Sequence, residues 1–379
     1  MSADRLLVVT PSLGGGGAEH HLVRILPALA AEFDVHLATL KRGGALVSHV
    51  PGGVTCHEID SRRWLVAAWR LRRLIHRIGP TVLFGIQEAA NIPLLMARRT
   101  LTAGARPAAA ISIQTSLAAV LARSKPRTQL LLRQAIRRLY PDADAIITTS
   151  GGIVRDLASI APAASPRATV IPNASVTEAI AGLAAAPCDH PFFSDGRAPV
   201  IVACGRLIEP KDYPTLLRAM VLVRATHPAR LIIVGDGPLA GALHALARDL
   251  GISDQVSFAG YVDNPYAFYA RATLFVLSSQ WEGFGNVVAE ALACGTPVVS
   301  TDCPHGPGEI LDHGRYGVLV PAGDPAALAR GICNVLDDGV LRERLAAAGP
   351  ERAALYTVTA SGRAHVALLK RILLRTQSA

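Results

Sequence analysis

Apolar residues recur along this chain in two alternating patterns. Short unbroken aliphatic runs at 6–10, 35–40, 54–59, 81–86, 108–113 and 145–149 predict buried strands. Between several of them lie stretches that are apolar at three- and four-residue spacing, which predict helices packed by one face. Leu22, Ile25, Leu26 and Leu29 form one such stripe. In 64–78, Trp64, Ala68, Leu71, Leu74, Ile75 and Ile78 share a side, with Arg70, Arg73 and Arg77 on the other. Further helices are expected at 91–99 and from Val154 through Ile160. The alternation then starts again. Strands are predicted at 200–204, 231–234, 256–260, 272–277 and from Val298, and helices at 213–224, 239–250, 265–271, 326–336, 340–348 and 360–374. Strand–helix alternation repeated in two halves predicts two α/β domains with parallel sheets. A stretch with Pro187, Pro191 and Gly196 reads as a linker. The expected division is therefore 1–180, a linker at 181–196, 197–358, and a terminal helix at 359–379.

Composition narrows this picture. The 379 residues are 50% hydrophobic but only 5% aromatic, so the cores are aliphatic. No run reaches the ~20 apolar residues that span a bilayer, and the first ten residues lack the pattern of a secretory signal. A cytoplasmic protein is expected. The six cysteines form no C-x-x-C pair, which argues against a zinc site or a disulfide framework and for buried free thiols. Charge is uneven. Residues 1–190 carry 21 Lys and Arg against 12 Asp and Glu, and the rest carries 17 of each, so the whole excess of +9 lies in the first half. Such asymmetry points to an anionic partner or to a solvated arginine face. Within it, 117–140 holds Arg123, Lys125, Arg127, Arg133, Arg137 and Arg138 among leucines. That stretch fits either a helix lying on an anionic membrane or a packed helix with a solvated face.

Candidate chemistry collects at strand ends. After the first strand comes Gly14-Gly15-Gly16-Gly17, then Glu19, His20 and a helix. This arrangement presents backbone N–H groups to phosphate, although the dinucleotide fingerprint G-x-G-x-x-G fails here. Gly205 and Arg206 end a strand, and Lys211 follows five residues on, close enough to converge on one anion. The densest stretch is Trp281-Glu282-Gly283-Phe284-Gly285-Asn286-Val287, leading through Glu290 to Gly295 and Pro297. Glycines allow close backbone approach to a ligand, Asn286 is expected to cap a helix, and Glu282 and Glu290 flank its start.

This stretch resembles the Glu-x7-Glu motif of retaining glycosyltransferases of family 4. The resemblance extends from about 200 to 324 through Gly205-Arg206, Lys211-Asp212-Tyr213, Gly235-Asp236-Gly237-Pro238, Ser300-Thr301-Asp302-Cys303 and Glu309-Ile310-Leu311. It implies the GT-B fold: two Rossmann-like domains facing a central cleft, with the last helix crossing back to the first domain. It implies a sugar moved from a nucleotide-sugar, UDP by family frequency, to a glycan or polyprenyl-linked acceptor in cell-envelope polysaccharide synthesis, with retained configuration and without metal or other cofactor. Arg206 and Lys211 would hold the diphosphate, and Glu290 the ribose hydroxyls. Glu282 and the backbone of Gly283, Phe284 and Gly285 would hold the sugar, with Asn286 and Val287 at the helix start and Val262 near the base. Gly15, Gly16 and Gly17 would face the donor diphosphate. His20 and Gln114 are cleft candidates. Gln114 stands about where many members carry a histidine, and it supplies hydrogen bonds without charge.

Three other readings stay open. Gly235-Asp236-Gly237-Pro238-Leu239-Ala240 with Asp254 fits a weak dinucleotide pattern and hence a dehydrogenase. A sugar-nucleotide epimerase shares the double-Rossmann fold. A non-catalytic scaffold of a polysaccharide assembly complex would keep the fold alone. No nucleic-acid partner is expected.

Overall fold

The computed structural model describes residues 4–61, 63–194, 196 and 198–377. The chain divides into two compact units, 1–174 with 358–379, and 175–357.

The first unit is built on a seven-stranded parallel sheet. Its strands are β1 (Arg5–Thr10), β2 (Asp34–Thr39), β3 (Thr55–Glu58), β4 (Val82–Ile86), β5 (Ala108–Ile113), β6 (Ala145–Thr148) and β7 (Ala168–Val170), in the order β3-β2-β1-β4-β5-β6-β7. Because every strand is parallel, each connection must cross a face of the sheet, and helices cover both faces. One layer buries Leu71, Leu74 and Ile75 of the Trp64–Ile78 helix with Leu132, Ile136 and Leu139 of the Pro126–Leu139 helix. The other buries Leu22, Ile25 and Leu29 of the Gly17–Ala30 helix with Leu368, Leu369 and Ile372 of the terminal helix, Val358–Gln377.

The second unit carries β8 (Val200–Cys204), β9 (Arg230–Val234), β10 (Val256–Gly260), β11 (Leu274–Leu277), β12 (Val298–Thr301) and β13 (Val318–Val320), also parallel, in the order β10-β9-β8-β11-β12-β13. Strand order reverses between β1 and β4 in one sheet and between β8 and β11 in the other. Ligands of such sheets bind outside the carboxyl ends at that reversal. The 181–196 stretch forms the short helices Ile180–Ala185 and Pro191–Ser194, and Ile180, Phe192 and Phe193 pack into the second unit.

Three expectations need correcting. The 117–140 stretch is two helices, Leu117–Arg123 and Pro126–Leu139, because Pro126 forces a break and restarts the helix at its first position. Gly285, not Asn286, caps the Asn286–Ala293 helix. Its φ of 94° is a conformation that side chains resist, so glycine takes the cap and Asn286 becomes the first helical residue. The thiols are not uniformly buried. Cys303 is, Cys56 is exposed, and the other four are intermediate.

Candidate active site

The second unit brings four of the expected residues to the carboxyl ends of β8 and β11, the strands at its reversal. Arg206 follows β8 on an exposed loop, and its side chain has no hydrogen-bond or ion-pair partner among the described residues. Lys211 lies in the turn Glu209–Lys211, and its Nζ donates to Glu282 Oε1 at 2.6 Å. Both side chains are largely shielded, at 17% and 12% exposure, so the pair sits where charge is poorly screened. Ser279 Oγ donates to the same Glu282 oxygen at 2.6 Å. Ser279 is fixed in turn, since its carbonyl accepts from Thr301 Oγ1 at 2.6 Å.

Local sequence explains this placement. Asp212 adopts φ 46° and accepts from Thr215 N at 3.3 Å, capping the Tyr213–Arg224 helix and turning Lys211 back towards the β11 loop. Gln280 Nε2 donates to Asp212 Oδ2 at 3.2 Å, and Ser278 Oγ to the Lys211 carbonyl at 2.8 Å, tying the two loops together. Glu282 N donates to Pro304 O at 3.1 Å. Gly306 supports the loop from behind, at φ 84°. A β-carbon there would stand 1.9 Å from Phe284 O, so the two backbones touch only because Gly306 lacks one.

Phe284 is buried, with its ring edge-on to Tyr356 at 5.3 Å. It thus anchors the loop, with its side chain in the core. Asn286 Oδ1 accepts from Ser175 Oγ at 3.1 Å. Val287 and Val262 are half-buried against the core, and Val262 follows β10. Glu290 lies in the second turn of the Asn286–Ala293 helix and is buried at 7% exposure. Burial pushes the neighbouring thiols Cys204, Cys294 and Cys303 up to about 12, with further repulsion from Glu290 or Glu282, so none is a nucleophile near neutral pH. The Gly235-x-Gly237 pair has a packing role. A β-carbon would fall 2.2 Å from Gly205 O at the first glycine and 2.5 Å from Leu207 O at the second.

In the first unit, residues 15–17 are exposed and open the Gly17–Ala30 helix, with Gly15 at φ 99°. Glu19, which sequence reasoning passed over, folds back: its carboxylate accepts from Gly16 N at 2.7 Å and from Ser12 Oγ. This half of a capping box, the only half a glycine cap allows, places a carboxylate where the bare glycine loop offers positive potential. His20 is half-buried, and burial, then Arg24, holds its imidazole below the usual value. Gln114 follows β5 and is 9% exposed. Its Nε2 donates to Ser112 Oγ at 2.7 Å, while its Oε1 has no partner. Glu88, also missed, opens the helix after β4. Its Oε1 is buried without a partner, and burial pushes the carboxyl up to about 7. Among the described residues, no cluster of three His, Cys, Asp or Glu side chains is spaced to hold a metal ion.

Comparison with known proteins identifies the family. Residues 198–338 match the family described as Glycosyl transferases group 1, and residues 15–178 match Glycosyltransferase Family 4. The N-acetylgalactosamine-N,N'-diacetylbacillosaminyl-diphospho-undecaprenol 4-alpha-N-acetylgalactosaminyltransferase of Campylobacter jejuni is 27% identical, over 90% of this chain and 92% of that protein. The lipopolysaccharide core biosynthesis glycosyltransferase LpsE of Rhizobium meliloti is 36% identical, over 56% of this chain and 59% of its own. Among solved structures, Anabaena HepE in complex with UDP superposes with a TM-score of 0.78 at 20% identity, covering 97% of this chain and 100% of that one.

Proposed function

Because the chain belongs to glycosyltransferase family 4, with the GT-B pair of Rossmann-like units, we propose that it transfers a hexose-type sugar from a UDP-sugar to a glycan carried on a polyprenyl lipid, with retention of configuration. The observation that carries this reading is the Lys211–Glu282 ion pair, set beside Arg206 and the Glu290 helix at the strand reversal of the second unit. A departing diphosphate needs cationic and N–H donors fixed before the reaction. Arg206 supplies a forked guanidinium, and Lys211 a point charge that exchanges Glu282 for phosphate oxygen. These side chains take the diphosphate charge in place of a metal ion. Glu282, released from Lys211, turns to the sugar hydroxyls, and Glu290 accepts from the ribose. The leaving phosphate then receives the acceptor's proton on the same face, so no protein nucleophile is required.

The lipid-linked acceptor is supported by the undecaprenol-linked substrate in the Campylobacter relative's name and by the basic first unit. On this reading the enzyme works at the cytoplasmic face of a membrane, in polysaccharide synthesis. Among the described residues no helix is long and apolar enough to cross a membrane.

The test is UDP binding and donor turnover in purified protein. Lys211→Ala is expected to lower kcat/KM by about a hundredfold, the scale of losing one electrostatic donor, with the fold intact. Glu290→Ala is expected to weaken UDP binding about tenfold or more through a lost charge-assisted hydrogen bond. Unchanged kinetics in the first variant would reject the phosphate role. Absence of nucleotide binding in the wild type would favour the scaffold reading.

A further inference from the structure

The Trp64–Ile78 helix buries Ala67, Ala68, Leu71, Leu74, Ile75 and Ile78 and turns a second apolar group outward. Leu65 is 75% exposed, Trp69 54% and Val66 37%. Single exposed apolar residues are ordinary, but three within one helical turn, including a tryptophan, mark an interaction surface. The guanidinium of Arg73 lies 4.6 Å over the Trp69 ring, and Arg63, Arg72 and Arg77 are exposed along the same helix.

Charge identifies the occupant. Between Asp60 and Asp142 the sequence carries fifteen Lys and Arg, and its single acidic residue is Glu88. The Pro126–Leu139 helix lies in the same core layer, on the same side of the sheet. It also has no acid and exposes Leu130 at 60% and Leu131 at 64%. Two helices on one side of a unit, each with outward leucines among arginines, match an extended anionic surface with an apolar interior. Tryptophan and leucine enter the interface, and arginine stems reach back to headgroup phosphates.

We infer that the outward face of the Trp64–Ile78 helix, with Leu65, Val66 and Trp69 inserted and Arg72 and Arg73 on headgroups, docks the first unit on a bilayer of anionic phospholipid. This deepens the membrane part of the function proposed above and rests on it.

The test is co-sedimentation of the full chain with vesicles of phosphatidylcholine plus phosphatidylglycerol, against phosphatidylcholine alone. UDP affinity is measured in parallel as a control for the fold. The wild type is expected to bind the anionic vesicles only, with its tryptophan emission shifted to the blue and the shift absent from Trp69→Phe. A Leu65→Glu/Trp69→Glu variant is expected to bind about tenfold more weakly or worse, since two inserted side chains are lost, with unchanged UDP affinity. Equal binding by this variant and the wild type overturns the assignment of this helix. If Leu130→Glu/Leu131→Glu then abolishes binding, the general membrane reading survives on the other helix. No binding of wild type to anionic vesicles, while UDP still binds, overturns both membrane statements and leaves the transferase reading standing. Equal binding to both lipid mixtures overturns the headgroup role of the arginines.

Discussion

At the scale of single residues, Glu88 is a group whose chemistry departs from its ordinary behaviour. It opens the Glu88–Arg99 helix, where a carboxylate is normally favoured. In the fold its Oε1 is buried without a partner, with Tyr140 close enough to feel its charge, and desolvation pushes the carboxyl from the ordinary range up to about 7. A folded-state value raised above the unfolded one means that the native state holds the proton more tightly. Stability is therefore full below the ordinary carboxylate range and falls as pH rises towards 7. Glu88→Gln keeps the shape without the charge. The variant is expected to melt with the wild type at pH 4 and above it at pH 8, as read by thermal unfolding at both values. A variant less stable than wild type at pH 8 would reject the buried-charge account. Arg206, Lys211, Glu282 and Glu290 could be singled out in the sequence because they stand in register with the blocks of a family the chain resembles. The direct pairing of Lys211 with Glu282 could not, because it depends on the β11 loop folding back over the turn after β8. The behaviour of Glu88 was hidden for the same reason, since its burial arises only when the chain folds and brings distant residues such as Tyr140 near it.

Among the elements, the terminal helix Val358–Gln377 shows most clearly how a segment is held in place. It lies along the Gly17–Ala30 helix, with His365 enclosed between Phe84 and His21 at ring distances of 5.8 and 5.1 Å. His365 Nδ1 donates to the Ser361 carbonyl at 2.8 Å, and Ser361 Oγ to the Pro172 carbonyl at 2.8 Å. Burial lowers His365 to about 4, and it carries His21 well below its usual value too, with His365 and Arg24 adding to the shift. The sign is opposite to that of Glu88. Docking is fully stable above the ordinary histidine range and weakens as pH falls from about 6.5 towards 4. Hydrogen exchange of this helix is expected to accelerate over that window, and less so in His365→Phe. An exchange rate flat with pH would remove the histidine pair from the account. Most elements were legible, because aliphatic runs and four-residue stripes survive in any context. The three-residue strands β7 and β13 were not, being too short to show a period. The division at Pro126 was missed because its flanks share one basic, leucine-rich composition. The Gly285 cap was missed because asparagine beside glycine is the commoner cap by type, and only the backbone angle separates them.

For the whole molecule, the fold class followed from two rounds of strand–helix alternation, and the charge asymmetry located the basic excess without showing its shape. Structure adds that the arginines accompany outward leucines and a tryptophan on two helices of one layer. Attraction of this kind is long-ranged at low ionic strength and collapses when the screening length shrinks to about 3 Å near 1 M salt. Binding to phosphatidylglycerol vesicles is therefore expected to fall at least tenfold between dilute buffer and about 1 M salt, measured by the same sedimentation. Salt-independent binding would mean that apolar insertion alone holds the protein.

The path of the chain carries one more consequence. Ser175 N and Val176 N both donate to the Tyr356 carbonyl, at 3.1 and 3.0 Å, and Val176 pairs with Thr357. The second unit thus begins and ends at a single point, while the first is assembled from both ends of the sequence. In construction terms, the second unit is a cassette spliced into a host. Its two seams lie side by side, so an exchange there with a relative's cassette carries Arg206, Lys211, Glu282 and Glu290 across together and cuts no strand of either sheet.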